Sequence, residues 1–203
     1  MSMRGSVDTS FQTMQRDLFN SGMAAHIGMN AFGVWLAIKN HADYNTGECW
    51  PGMRRLAELT GIGSSSVQRA IKTLIEAKLL RVDPSKRKGN TYVARERIDI
   101  RLGNRVLCTV VLDYVPRGLK KRLEEIEQGL TEGGKPELWA QVEIIPGPGF
   151  VWDEKAGMLQ TKIHANEFPE AIADASEAQL QSTIVQRVLA MKSKAKAIPG
   201  SPD

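Results

Sequence analysis

The stretch TGECWPGMRRLAELTGIGSSSVQRAIKTLIEAKLLRV, residues 46–82, decides the fold of this 203-residue chain. Pro51 suits the first position of a helix, where its missing N–H would be unpaired anyway. The spacing of apolar residues predicts that helix over residues 52–59. Its expected inward residues are Met53, Leu56, Ala57 and Leu59. The run Thr60-Gly61-Ile62-Gly63 predicts a turn that separates this helix from the next.

The serines after the turn open a second helix, predicted over residues 65–77 with Gly63 at the usual N-cap position. Its expected inward residues, at helical spacing, are Val67, Ala70, Ile71, Leu74 and Ile75. Residues 79–82 and 91–94 then predict two strands joined by a hairpin tip over 83–90. Upstream, Asn30 is expected to cap a helix with the sequence AFGVWLAIKNHA. Helix, helix, turn, helix and hairpin follow in the order of a winged helix–turn–helix.

The outer side of the 65–77 helix is polar and basic. In a helix–turn–helix this helix lies in the major groove of DNA, while the preceding helix crosses the backbone. Gln pairs well with adenine there and Arg with guanine. We define a reading face by the residues Ser64, Ser65, Ser66, Gln68, Arg69 and Lys72. The alternative is an ordinary solvated side of an amphipathic helix.

Cations next to the reading face also indicate binding to DNA. Arg54 and Arg55 on the preceding helix are expected to reach the DNA backbone. The hairpin tip carries three consecutive cations, which suit phosphates or a minor groove. We call Lys86, Arg87 and Lys88 the wing cations, and Asn90 completes the predicted DNA-binding set.

Three segments, TGECWPGMRRLAELTGI, SSSVQRAIKTLIEAKLLRV and RKGNTY, resemble the winged helix–turn–helix of plasmid and phage replication proteins and related regulators. The similarity runs over residues 44–93, about a quarter of the chain. Gly52 stands where Ser is usual after the proline, and Gly63 where Ser is usual as the N-cap. The resemblance implies binding of double-stranded DNA. It leaves replication initiation or control and transcriptional repression as alternatives, because the same module serves both.

The charge distribution supports a DNA-binding N-terminal half. The chain has a net charge of +4. Residues 1–105 contain 16 Lys and Arg against 9 Asp and Glu, whereas residues 106–203 contain 11 against 14. A locally basic region attracts phosphate by releasing condensed counterions. The basic charge therefore lies on the half that contains the helix–turn–helix.

Composition excludes several classes of protein. No stretch reaches the roughly 20 apolar residues of a membrane helix, and the N-terminus lacks the apolar core of a signal peptide. We therefore expect a cytoplasmic protein without a membrane segment. Cys49 and Cys108 are far apart and outside any Cys/His cluster, so we expect reduced thiols rather than a disulfide or a zinc site.

The second half predicts a small α+β unit. An apolar strand over 106–115 precedes a charged helix after Pro116, a strand over 138–145 and a hairpin of 150–153 with 158–164. This β-α-β-β-β order, with the first half, makes the whole chain α+β. The expected organisation is an N-terminal extension with a short helix over 1–28, the winged helix–turn–helix over 29–105, a domain for dimerisation or partner binding over 106–168, a C-terminal helix over 169–193 and a disordered tail over 194–203.

The sequence does not indicate an enzyme. His26, His41 and His164 are scattered and form no metal-ligand motif, so we expect neither a metal nor a cofactor. The expected partners are double-stranded DNA, a second copy of the chain, and the replication or transcription machinery. A homodimer is expected because helix–turn–helix proteins often read paired half-sites. A further alternative is an adaptor whose degenerate helix–turn–helix recruits a protein instead of DNA.

Overall fold

The computed structural model describes residues 12–85, 89–132, 136–155 and 157–161. The wing cations, His164, the expected helix over 169–193 and the expected tail over 194–203 lie outside these residues. The elements in chain order are α1 (Asp17–Asn20), α2 (Met23–Asn40), β1 (Glu48–Cys49), α3 (Met53–Thr60), α4 (Ser64–Glu76), β2 (Leu80–Ser85), β3 (Gly89–Leu102), β4 (Arg105–Asp113), α5 (Leu119–Glu132), α6 (Pro136–Trp139), β5 (Val142–Pro146), β6 (Phe150–Asp153) and β7 (Met158–Thr161).

Helices α2, α3 and α4 pack against one another around a common apolar core. Their fully buried side chains include Trp35, Ile38, Leu56, Val67 and Leu74. Burial of each such side chain stabilises the fold by about 2 kcal/mol. Gly61 ends α3 in the left-handed conformation, with φ of 70°, and so turns the chain sharply towards α4. The predicted helix–turn–helix is confirmed.

Three details at the ends of these helices differ from the predictions. Gly28 interrupts α2 with φ of 77° and ψ of 159°, so the helix resumes at Met29. Asn30 therefore lies in the first turn and is not the cap. Gly52 is the N-cap of α3, which places Pro51 before the cap rather than at the first helical position. Gly63 caps α4 as expected.

Two residues expected in the core are exposed instead. Leu59 is 41% exposed and Ile75 is 43% exposed. Successive residues of a helix are about 100° apart, so Ile75 is rotated away from its buried neighbour Leu74 and past the edge of the apolar stripe. Leu59 lies past the edge of the α3 stripe for the same reason.

Residues 1–11 lie outside the described part of the expected N-terminal extension, and residues 12–28 contain the expected short helix as the single turn α1. Leu18 is buried, and Phe19 packs edge-on against Phe32 of α2 with ring centroids 5.5 Å apart. The Asp17 carboxylate accepts a hydrogen bond from the Asp99 amide of β3 at 3.1 Å. These contacts attach α1 to α2 and to the sheet.

A five-stranded antiparallel sheet is built around the 14-residue strand β3. The N-terminal half of β3 pairs with β1 and β2, and its C-terminal half pairs with β4, which pairs with β5. The β2–β3 ladder continues to the pair Ser85 and Gly89. Much of the predicted 83–90 tip is thus strand, and the short strand β1 was not predicted.

The boundary expected between residues 105 and 106 falls within a hairpin of this sheet. Leu102 pairs with Arg105, so Gly103 and Asn104 form a two-residue turn between β3 and β4. Gly103 has φ of 57°, a conformation that suits glycine at the first position of a hairpin turn. The sheet therefore runs from the wing into the second half of the chain without a break.

Up to residue 161, the described part of the second half has the expected strands and the helix after Pro116, plus one additional helical turn. The chain runs β4, α5, α6, β5, β6 and β7. The strand predicted over 138–145 begins only at Val142, because Leu138 and Trp139 belong to α6. That turn begins at Pro136, and Trp139 packs edge-on against Trp152 at 4.9 Å between centroids. The α+β class is confirmed.

A buried ion pair joins α2 to the sheet. The Nζ of Lys39 lies 2.6 Å from Oε1 of Glu96 on β3, and the exposed fractions of the two side chains are 0% and 2%. The same ammonium donates to the Thr13 carbonyl at 2.6 Å and lies over the rings of Trp35 and Tyr114. Burial lowers the pKa of Lys39 and raises that of Glu96 despite their mutual attraction.

Among the described helices, none is long and apolar enough to span a membrane.

Candidate nucleic-acid interface

Helix α4 presents the reading face outward because its opposite side is anchored in the core. Val67, Ala70 and Leu74 are at most 4% exposed. The structure brings the predicted residues together on the other side, where Ser66 is half-buried and the rest are exposed. The exposed members are Ser64, Ser65, Gln68, Arg69 and Lys72.

Contacts within the reading face are weak and open to exchange. The Arg69 guanidinium donates to Oγ of Ser66 at 3.3 Å, and the Lys72 ammonium lies 3.9 Å from the Glu76 carboxylate. Glu76, in the last turn, is the one acidic residue of α4. Exposed pairs of this kind contribute at most about 1 kcal/mol. These two cations can therefore exchange their present partners for a base edge or a phosphate.

Arg54 and Arg55 lie together in the first turn of α3, with side chains 94% and 57% exposed. Both contact Glu58, Arg54 at 3.1 Å and Arg55 at 3.7 Å. This carboxylate was absent from the predicted set, although its i,i+4 spacing from Arg54 predicts the pairing. Because both pairs are exposed and therefore weak, the two arginines can exchange Glu58 for a phosphate.

The N-termini of α3 and α4 have no side-chain caps. Gly52 and Gly63 are extended, with φ of −67° and −66°, a conformation open to any residue. A Cβ at either position would meet nothing within 4 Å. Serine could therefore occupy both positions and accept a hydrogen bond from the first turn. With glycine there, the amide groups at both helix starts stay open to an anion.

The structure places Asn90 at the root of the wing, exposed and paired with Pro84 across the β2–β3 ladder. Trp50, which the sequence predictions missed, lies beside the same strand. Its side chain is 56% exposed, and its indole N–H donates to Oγ1 of Thr91 at 2.9 Å. The available signal was a tryptophan directly before Pro51 in an otherwise polar segment.

The sheet holds the segment that directly follows α4. The Arg97 guanidinium of β3 donates to the Ala77 carbonyl at 3.2 Å. Lys78, which adopts a left-handed φ of 63°, forms an ion pair with Glu143 of β5 at 3.2 Å. The chain directly after α4 is therefore bonded to both β3 and β5.

The described residues contain no group of three or more His, Cys, Asp or Glu side chains placed to hold a metal. Cys49 and Cys108 are free and buried, at 1% exposure each. Burial raises the pKa of each thiol to about 12, with the Asp99 charge adding to the effect at Cys108.

Both thiols are expected to resist iodoacetamide in the folded protein at pH 8, because the reactive thiolate is scarce and inaccessible. Mass spectrometry should find less than a tenth of either cysteine alkylated under conditions that modify glutathione fully. The same protein in 6 M guanidinium chloride, as the control, should react at both positions. Rapid alkylation of the folded protein at either position would contradict this expectation.

Comparison with known proteins supports the N-terminal assignment. A family model described as a helix-turn-helix domain matches residues 25–80, which contain α3, α4 and most of α2. A helix–turn–helix indicates binding to DNA. No curated protein and no solved structure matches the chain.

Proposed function

We propose that this protein is a sequence-specific binder of double-stranded DNA. In this proposal α4 enters the major groove, α3 crosses the backbone, and the wing cations contact phosphates or the neighbouring minor groove. The observation that carries the proposal is the reading face, which is exposed and free of acidic residues through the first three turns of α4. Arg54 and Arg55 lie on the adjoining helix, where the backbone would pass.

The proposed biological role is the initiation or control of plasmid or phage replication. Its support is the resemblance carried by TGECWPGMRRLAELTGI, SSSVQRAIKTLIEAKLLRV and RKGNTY. Transcriptional regulation through the same helix–turn–helix is the second candidate. We propose a binding function, without catalysis or a cofactor, in which residues beyond β3 supply dimerisation or contacts to the replication machinery.

Arg69→Ala is expected to weaken binding to a target duplex selected from random sequence by about 5- to 150-fold. A bidentate contact from arginine to guanine contributes roughly 1–3 kcal/mol of discrimination. Fluorescence anisotropy on the selected duplex and on a scrambled duplex measures this loss, which should be smaller on the scrambled one. Lys121→Ala removes the same charge from the exposed side of α5 and is the control.

An equal loss for Arg69→Ala on both duplexes would contradict base reading by this residue. No binding of the wild-type protein to any duplex would overturn the DNA-binding proposal itself. The replication role is tested by deleting the gene from its host replicon. Normal replication after deletion would exclude an initiator and favour the regulator.

A further inference from the structure

Trp50 is the described tryptophan with the greatest exposure, and it is held by a hydrogen bond rather than by burial. Its side chain is 56% exposed, whereas Trp35 is fully buried and Trp139 is 9% exposed. Indole is large and apolar, and tryptophan is highly buried on average. Because its N–H already donates to Thr91, the ring surface left to solvent is carbon.

The position of Trp50 is fixed from two sides. Cys49, the preceding residue, pairs with Tyr92 of β3, which places Trp50 beside Thr91 at the root of the wing. Gly52, two residues later, is the N-cap of α3. Arg54 follows in the first turn, with its side chain 94% exposed. Trp50 therefore lies between the wing strand and the start of the backbone-crossing helix.

We propose that the Trp50 ring packs against the sugar–phosphate backbone of the DNA, on the deoxyribose carbons between the major groove that α4 enters and the minor groove next to the wing. This inference rests on the proposed function. One sugar–phosphate backbone separates these two grooves. The root of the wing faces this backbone when α4 lies in the major groove and the wing lies at the minor groove. Deoxyribose offers an apolar surface that matches the exposed indole carbons.

Such a contact has a signature that distinguishes it from a basic residue. Each cation that neutralises a phosphate adds about 0.9 to the slope of log affinity against log salt concentration. A neutral ring releases no counterion, so its loss should lower the affinity and leave the slope unchanged. Because a sugar carries no sequence information, the loss should be equal on specific and non-specific duplexes.

The test measures duplex binding by Trp50→Ala and Trp50→Phe with fluorescence anisotropy at several salt concentrations. Trp50→Ala should bind about five- to tenfold more weakly on both the selected and the scrambled duplex, as expected for losing roughly 50 Å² of apolar contact. Trp50→Phe keeps a ring and should stay within about threefold of the wild type. Phe19→Ala is the matched control, since Phe19 is 52% exposed and α1 is bonded to Asp99, eight residues along β3 from Thr91.

Acrylamide quenching supplies a readout that a structural role would not move. Duplex DNA should protect a quenchable tryptophan in the wild type, and Trp50→Phe should lack that protected component while still binding. Unchanged affinity of Trp50→Ala, a smaller salt slope, or a Trp50 that stays fully quenchable on DNA would each overturn the inference. If the wild type binds DNA in these cases, the proposed function stands and only this contact is lost.

Discussion

Replacing Lys86, Arg87 and Lys88 together with alanine is expected to weaken duplex binding by about a hundredfold at 0.1 M salt. Three phosphate contacts would be lost, and the slope of log affinity against log salt concentration should fall by about 2.7. The loss should be similar for the selected and the scrambled duplex, because phosphates carry no sequence information. Anisotropy titrations between 50 and 200 mM salt measure both quantities.

The control for the wing variant is Lys120→Ala with Lys121→Ala on α5. Both side chains are exposed and paired with glutamates one turn away, so their removal lowers the net charge without altering the proposed interface. This variant should show a nearly unchanged slope. A wing variant that kept the wild-type slope would exclude the wing cations as phosphate contacts.

Lys39→Met is expected to lower the free energy of unfolding by about 3–5 kcal/mol, because it leaves the Glu96 carboxylate buried without its partner. Urea denaturation followed by circular dichroism measures the loss. The double variant Lys39→Met with Glu96→Leu removes both charges and should recover most of the stability. Equal stabilities for the single and the double variant would contradict the proposed cost of an unpaired charge.

The destabilisation by Lys39→Met should depend on pH. Burial already raises the pKa of Glu96 above its usual 4.5, and removing the adjacent ammonium removes an effect that lowers it. A carboxyl whose pKa is higher in the folded state than in the unfolded state favours folding at low pH and loses that advantage as the pH rises. Unfolding at pH 4 should therefore show a smaller difference between variant and wild type than at pH 7.

The sequence was sufficient for α4 and its reading face. Val67, Ala70 and Leu74 recur at helical spacing, so the side that turns away from the core follows from the same pattern. The glycine cap at Gly63 and the short turn before it were equally visible. Periodicity, turn chemistry and helix signals agree over this segment, and agreement among them is what makes a local prediction reliable.

Contacts between distant residues account for much of what the sequence could not predict. Lys39 is a charged residue near the end of a helix, and nothing in its local sequence indicates burial. Only the fold brings Glu96, which is 57 residues further along the chain, next to it. Trp50 stands in an otherwise polar segment, and only the β1–β3 register places it beside Thr91. Gly103 and Asn104 did carry a hairpin signal, but the long mixed pattern of β3 concealed where the strand ended.

The continuity of β3 limits how this protein can be divided. A fragment ending at residue 105 would keep the C-terminal half of β3 and lose β4, its pairing partner over residues 95–102. Ile98, Ile100 and Leu102 would then lie on an unpaired strand, which invites aggregation between copies. The same cut would remove Val110, Leu112 and Tyr114 from the core that the three helices share. Poor solubility of such a fragment would therefore reflect where the chain was cut.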